Sequence, residues 1–217
     1  MNGWSERTPN MNKEDNILLK RIVNHLILHA SFTDDVGLFH GKMGIILFFA
    51  HYARYTGNHL FDDFAGELLN EVYENVTEAL PINLESGLCG IGWGTGYLIQ
   101  NGFLEGNADE ILKEIDHKIM EQDLKRMKDR SLPTGLLGIG CYIDQRLCVP
   151  RKETEDRPFD DTYLTDWKTV SSSLEIVGGK KMLDSLLEKQ PVGDKFLSWD
   201  LGLVNGCAGY GLKKIGI

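Results

Sequence analysis

Gly202-Leu-Val-Asn-Gly-Cys-Ala-Gly209 repeats a stretch met much earlier in the chain, Gly37-Leu-Phe-His-Gly-Lys-Met-Gly44. Both read Gly-Leu-x-(His/Asn)-Gly-x-x-Gly, and both lead into an apolar segment. Two shorter relatives lie between them, Gly87-Leu-Cys-Gly-Ile-Gly92 and Gly135-Leu-Leu-Gly-Ile-Gly140. The four starts fall 50, 48 and 67 residues apart. A glycine signature that returns at a near-constant interval predicts a repeat architecture.

The segments around these turns alternate in kind. Leu18, Leu19, Ile22, Val23, Leu26 and Ile27 recur at helical spacing and form one stripe, which predicts an amphipathic outer helix from Asn12 onward. After the first turn, Ile45 to Ala50 and on through Tyr52 and Tyr55 is apolar nearly all round, the pattern of an enclosed inner helix. Thr56-Gly-Asn58 closes it, with Gly57 suited to a helix C′ position and Asn58 to the next N-cap. The cycle then repeats. Leu60 to Val76 is amphipathic, and Trp93, Tyr97, Leu98 and Ile99 belong to a second inner helix. Glu105-Gly-Asn107 echoes Thr56-Gly-Asn58, and Ile111 to Met127 predicts a third outer helix before the inner one through Ile139, Tyr142 and Leu147. The fourth unit is longer. It has a charged loop from Val149 to Pro158, a helix over Leu164 to Val177 broken at Gly178-Gly179, and a short helix through Met182 and Leu187. No strand pattern survives, so the expected class is all-α, with four outer–inner hairpins and eight main helices.

Bulk properties exclude several functions. The chain has 217 residues, enough for one sizeable core. A net charge of −9 and the lack of any Lys/Arg cluster argue against nucleic acid. No run approaches the ~18 apolar residues of a membrane span, and the N-terminus lacks a signal-peptide core, so a cytoplasmic location is expected. Four cysteines without a CxxC pair read as reduced thiols.

In its four turns the chain resembles the lanthionine synthetase C-like family, the lantibiotic cyclases, over roughly Asn12 to Ile217. The resemblance implies an α/α toroid of helical hairpins with glycine motifs at the inner-helix starts. It makes residues 12–217 a single domain behind a flexible lead of residues 1–11. It also implies a protein that handles a ribosomally made peptide in a lanthionine or thioether peptide pathway. The family's toroid has seven hairpins, against four here. Its zinc site takes a Cys-His-Gly-x-Ala-Gly motif and a cysteine within Trp-Cys-Tyr-Gly. Here the best match is Val204-Asn205-Gly206-Cys207-Ala208-Gly209, and Trp-Cys-Tyr-Gly does not occur. Val204 cannot bind zinc and Asn205 is a poor ligand, so a metal-free, degenerate peptide-binding member is expected, with no cofactor.

Several residues are candidates for chemistry. His40 in His-Gly-x-x-Gly matches in form a family motif whose histidine is linked to acid–base catalysis; the alternative is a capping or hydrogen-bonded histidine. Asp35, Glu85 and Asp200 stand two residues before the first glycine of three turns, either as helix caps or as an acidic mouth for acid–base work. The residues before the second glycines, His40, Cys89, Leu137 and Asn205, are expected to share one cavity. His40, Cys89 and Cys207 are an alternative metal set, and zinc enters only if they rebuild a site. Trp93, Tyr97 and Asn205 are substrate-binding candidates, against ordinary core packing for the two aromatic residues. Two other function classes remain: an α/α scaffold for protein–protein interaction, and a carbohydrate-active α/α barrel. The exposed ends of a four-hairpin arc imply self-association into a homodimer.

Overall fold

A computed structural model of the chain describes residues 12–77, 79–149, 157–172, 174, 179–188, 190–191, 193 and 195–217. The lead of residues 1–11, most of the charged loop (150–156) and the break before Gly179 lie outside the described residues. The helices run α1 Lys13–His29, α2 Lys42–Thr56, α3 Leu60–Glu74, α4 Leu88–Gln100, α5 Ala108–Ile111, α6 Lys113–Met120, α7 Leu136–Leu147, α8 Asp161–Ser171, α9 Gly179–Leu187 and α10 Cys207–Lys214. Among the described residues no strand forms; a single bridge joins Asp200 to Gly206. The third outer helix is split at Leu112 and stops at Met120. Beyond it the Asp123 side chain accepts from the Arg126 N–H, a local bond that competes with helix continuation.

The inner helices α2, α4, α7 and α10 all start at a glycine N-cap: Gly41, Gly87, Gly135 and Gly206. Each start is closed by one bond to a carbonyl seven residues back: Lys42 to Asp35 at 2.8 Å, Leu88 to Pro81 at 2.8 Å, Leu136 to Asp129 at 3.0 Å and Cys207 to Asp200 at 2.7 Å. The repeat is therefore Leu-x-x-Gly-x-x-Gly, led by Leu38, Leu84, Leu132 and Leu203. This corrects the register in which Gly37, Gly87, Gly135 and Gly202 are equivalent. Gly-Leu occurs in two phases: the leucine precedes the cap glycine in the first and fourth turns and follows it in the second and third.

The turns are stitched together by backbone bonds that run in one direction. Leu203 and Val204 donate to the Phe39 carbonyl, Leu38 and Phe39 to Glu85, and Leu84 and Glu85 to Pro133. The spatial order is thus fourth, first, second, third. The fourth unit is the neighbour of the first, where an open arc would hold them apart. α1 lies on α10, and Lys214 reaches Asp15 at 2.8 Å. α9 touches both α7 and α10 and closes the ring of inner helices. Since the first and last units cover one another, the exposed-end argument for a homodimer loses its basis at that junction.

The core is built on this ring of inner helices and includes buried residues of α1, α3, α6 and α8 packed against it. α2 is buried from Lys42 to Ala53 and α4 from Leu88 to Leu98. The buried Arg146 is bonded to Asp116 at 2.7 Å and Asp109 at 2.8 Å, and the Tyr142 hydroxyl donates to Asp116 at 2.6 Å. This network ties the third outer segment to α7.

Candidate functional site

The ladder of turns decides what surrounds His40. The first turn lies between the fourth and the second, so one side of the imidazole meets Asp200 and the other meets Glu85. His40 Nδ1 is 3.4 Å from an Asp200 carboxylate oxygen, and Nε2 is 3.5 Å from Glu85. Nδ1 is shielded from solvent and makes no hydrogen bond among the described residues, although the side chain as a whole is 36% exposed. The close approach depends on two glycines. A Cβ on Gly202 would fall 2.5 Å from the His40 Cα, and one on Gly37 would fall 2.5 Å from the Ser86 Cα. These are the glycines that lengthen the first and fourth motifs, and they stand at the two junctions flanking His40.

Of the sequence candidates, His40, Glu85 and Asp200 come together. Asp35 does not join them: its Oδ1 accepts from the Gly37 N–H at 2.7 Å, which makes it a turn residue. Asp129 occupies the same register as Asp35 and Asp200 and was missed by the sequence reading. Its carboxylate accepts from the Ser131 N–H and the Thr134 hydroxyl, and the Thr134 bond leads in holding its pKa below the usual range. The signal was readable as Asp-x-(Gly/Ser)-Leu in Asp35–Leu38, Asp129–Leu132 and Asp200–Leu203. Glu85 belongs to a different register, that of Phe39, Pro133 and Val204.

A family model described as lanthionine synthetase C-like protein matches residues 32–212. The chain belongs to that family. No curated protein and no solved structure matches it.

The zinc that the lanthionine synthetase C-like family implies does not fit the residues present. At the two motif positions, Val204 is apolar and Asn205 is an exposed residue with left-handed backbone, φ 52°. The Cys207 thiol is buried and faces the Phe196 carbonyl at 3.6 Å; burial, with Asp200 adding to it, pushes its pKa up to about 12. A zinc ligand must be a thiolate, and here a buried thiol donates to a carbonyl instead. Cys89 does not share a cavity with His40. It is one turn further along, in the register of Met43, and buried against the α7 side; burial raises its pKa well above the ordinary thiol, with smaller contributions from Cys141 and Asp116. Among the described residues no group of three His, Cys, Asp or Glu is placed to hold a metal ion. The carboxylates beside His40 approach opposite ring nitrogens and share no point with the imidazole.

Trp93 and Tyr97 are buried in the core. Trp93 is 0% exposed and stacks on Tyr97 at 5.4 Å between centroids. The Tyr97 hydroxyl bonds His51 Nε2 at 2.8 Å, and burial pushes the phenol up to about 12. Asn205 does reach solvent on the turn face, at the register position His40 holds in the first turn. The sequence reading also missed the buried His51. An enclosed helix shows histidine no differently from any other polar position, so no signal pointed to it.

Chemically, the turn face offers an imidazole with both nitrogens beside carboxylates, and further carboxylates at Asp35 and Asp129. Such a surface receives cationic or N–H-rich groups and can pass a proton between an imidazole nitrogen and a bound group.

Proposed function

We propose that this lanthionine synthetase C-like chain binds a ribosomally made peptide on its turn face, as a metal-free member of a peptide-modification pathway. The observation that carries the reading is the meeting of His40, Glu85 and Asp200 from three different turns. Residues so far apart in sequence share a surface only through the ladder. His40 engages the peptide directly, while Glu85 and Asp200 set its orientation and favour a basic segment. The chain's net charge of −9 supports the same preference. Family membership supports a peptide over the carbohydrate alternative.

The test is calorimetric titration of the full chain with synthetic copies of the small peptides encoded beside its gene. Binding is expected to weaken about tenfold or more in His40→Ala, the scale of a lost hydrogen bond to a charged group. Circular dichroism should be unchanged. Binding that is indifferent to both His40→Ala and the double change Glu85→Gln, Asp200→Asn would overturn the reading.

A further inference from the structure

The three junctions of the ladder are built alike. Two consecutive N–H groups of one turn converge on the carbonyl of the second residue of the next, with donor distances between 2.7 and 3.1 Å. Because the direction never reverses, the series ends differently on its two sides. The third turn keeps the Leu132 N–H, which makes no hydrogen bond among the described residues, and Pro133 has no N–H to give. The fourth turn keeps the Val204 carbonyl, which accepts none among the described residues. Both residues are half-buried.

The inner helices do close at this place, through α9, but the layer of turns does not. From beyond the C-terminal end of α9, the Gln190 side chain reaches the fourth turn. It takes beside Gly209 the place that Leu203, Leu38 and Leu84 take beside Gly44, Gly90 and Gly138. Its Nε2 donates to the Leu203 carbonyl at 2.9 Å, and its buried Oε1 has no partner among the described residues. Among the described residues, then, a side chain holds the leucine place of a further turn, and no main chain pairs with the Leu132 N–H or the Val204 carbonyl.

We infer that the place of this further turn receives a bend of the bound peptide, held through its main chain. One peptide carbonyl accepts from Leu132, and two consecutive peptide N–H groups donate to Val204. The inference rests on the peptide-binding reading above and names the part of the peptide that is recognised. Donors and an acceptor in this arrangement are what a polypeptide backbone carries, and half-buried backbone groups are stabilised by such partners. Recognition of this kind tolerates many side chains but excludes proline at the two donor positions.

The probe is an acetylated and amidated hexapeptide, Ile-Asn-Gly-Glu-Ser-Gly, which copies the second turn at residues 82–87 with glycine for the leucine whose place Gln190 holds. It is titrated into the ¹⁵N-labelled full chain and compared with the same peptide N-methylated at its third and fourth residues. Hydrogen exchange at the Leu132 amide is expected to slow at saturation, and the methylated peptide is expected to bind about tenfold more weakly or worse. Pro133→Ala supplies the missing second donor and is expected to tighten binding roughly 2- to 10-fold. No binding at millimolar peptide, unchanged Leu132 exchange at saturation, or equal binding of the methylated form would each overturn the inference. Peptides from the gene neighbourhood that bind through His40 but leave Leu132 untouched would sink this inference alone. If none of them binds, the peptide-binding reading falls with it.

Discussion

Replacing Gly202 and Gly66 by alanine should move stability in opposite directions. At Gly202 an added Cβ meets only backbone of the first turn: the Phe39 carbonyl oxygen, the His40 Cα at 2.5 Å and the His40 carbonyl carbon at 2.6 Å. None of these is the end of a flexible side chain, so the two turns must separate. The separation breaks the bonds from Leu203 (2.7 Å) and Val204 (3.0 Å) to Phe39. Two hydrogen bonds contribute about 1 kcal/mol each, and crowding in a packed region adds about 1–3 kcal/mol. The expected loss is about 3–5 kcal/mol, a large share of the ~5–15 kcal/mol of an ordinary domain. Gly66 lies inside α3 with nothing within 4 Å of an added Cβ, so Gly66→Ala should stabilise by about 0.5–1 kcal/mol through helix propensity. Urea unfolding followed by far-UV circular dichroism, with equal slopes required of all three proteins, measures both changes. A Gly202→Ala midpoint within about 0.5 kcal/mol of the parent would refute the close-approach argument, since 2.5 Å leaves no room for a silent methyl.

Asp116→Asn should cost about 3–5 kcal/mol in the same assay, because it uncouples the buried Arg146 from its main partner while leaving the guanidinium buried; a loss under about 1 kcal/mol would mean that Asp109 alone suffices. Stability should also fall at alkaline pH. Cys207 and Tyr97 both have folded-state pKa values near 12, raised by burial from ordinary values of 9.0 and 10.0. Between those limits the unfolded chain has lost protons that the folded chain keeps, so the contribution is complete below pH 9 and disappears as pH rises toward 12. Thermal melts should show the decline, and Cys207→Ala should flatten its lower part; a melting temperature constant from pH 8 to 11 would contradict the burial of both groups.

The helices were legible because their signal is local. A stripe in Leu18 to Ile27 and an all-round apolar run in Ile45 to Tyr55 each report one helix and its degree of enclosure. The phase of the turns was not legible, since Gly-Leu in Gly37-Leu38 and in Gly87-Leu88 is the same dipeptide on opposite sides of a helix cap. Deciding between the phases needs the bond from Leu88 to Pro81, which no periodicity reports. Nor was the pairing of the fourth turn with the first, which joins Leu203 to Phe39 across 164 positions of chain. His40, Glu85 and Asp200 were picked by residue type and nearness to glycine, and their meeting follows from that unread pairing. Asp116 and Arg146 went unnoticed because single charged residues in helical stripes ordinarily face solvent.

The corrected register also explains why the polar centre belongs to the first turn. In the fourth turn the two positions before the cap glycine hold Val204 and Asn205; in the first they hold Phe39 and His40. A side chain at the second of these positions has a neighbouring turn on each side only if its own turn is interior to the ladder. That is true of His40 and Ser86 alone: Asn205 and Thr134 belong to the terminal turns. Ser86 is spent locally, its N–H and hydroxyl both bonded to Asn83 at 2.9 and 3.3 Å. Asn83 stands where the first and fourth turns have Gly37 and Gly202, so the second turn fills with its own side chain the space those glycines leave for a neighbour. The longer glycine motifs and the placement of the imidazole are therefore one feature. Removing the glycine at 202 should displace Asp200 from His40 before it unfolds the ring, so a Gly202→Ala chain studied well below its melting temperature should lose peptide affinity as His40→Ala does. If it binds as the parent does, the imidazole works without its clamp.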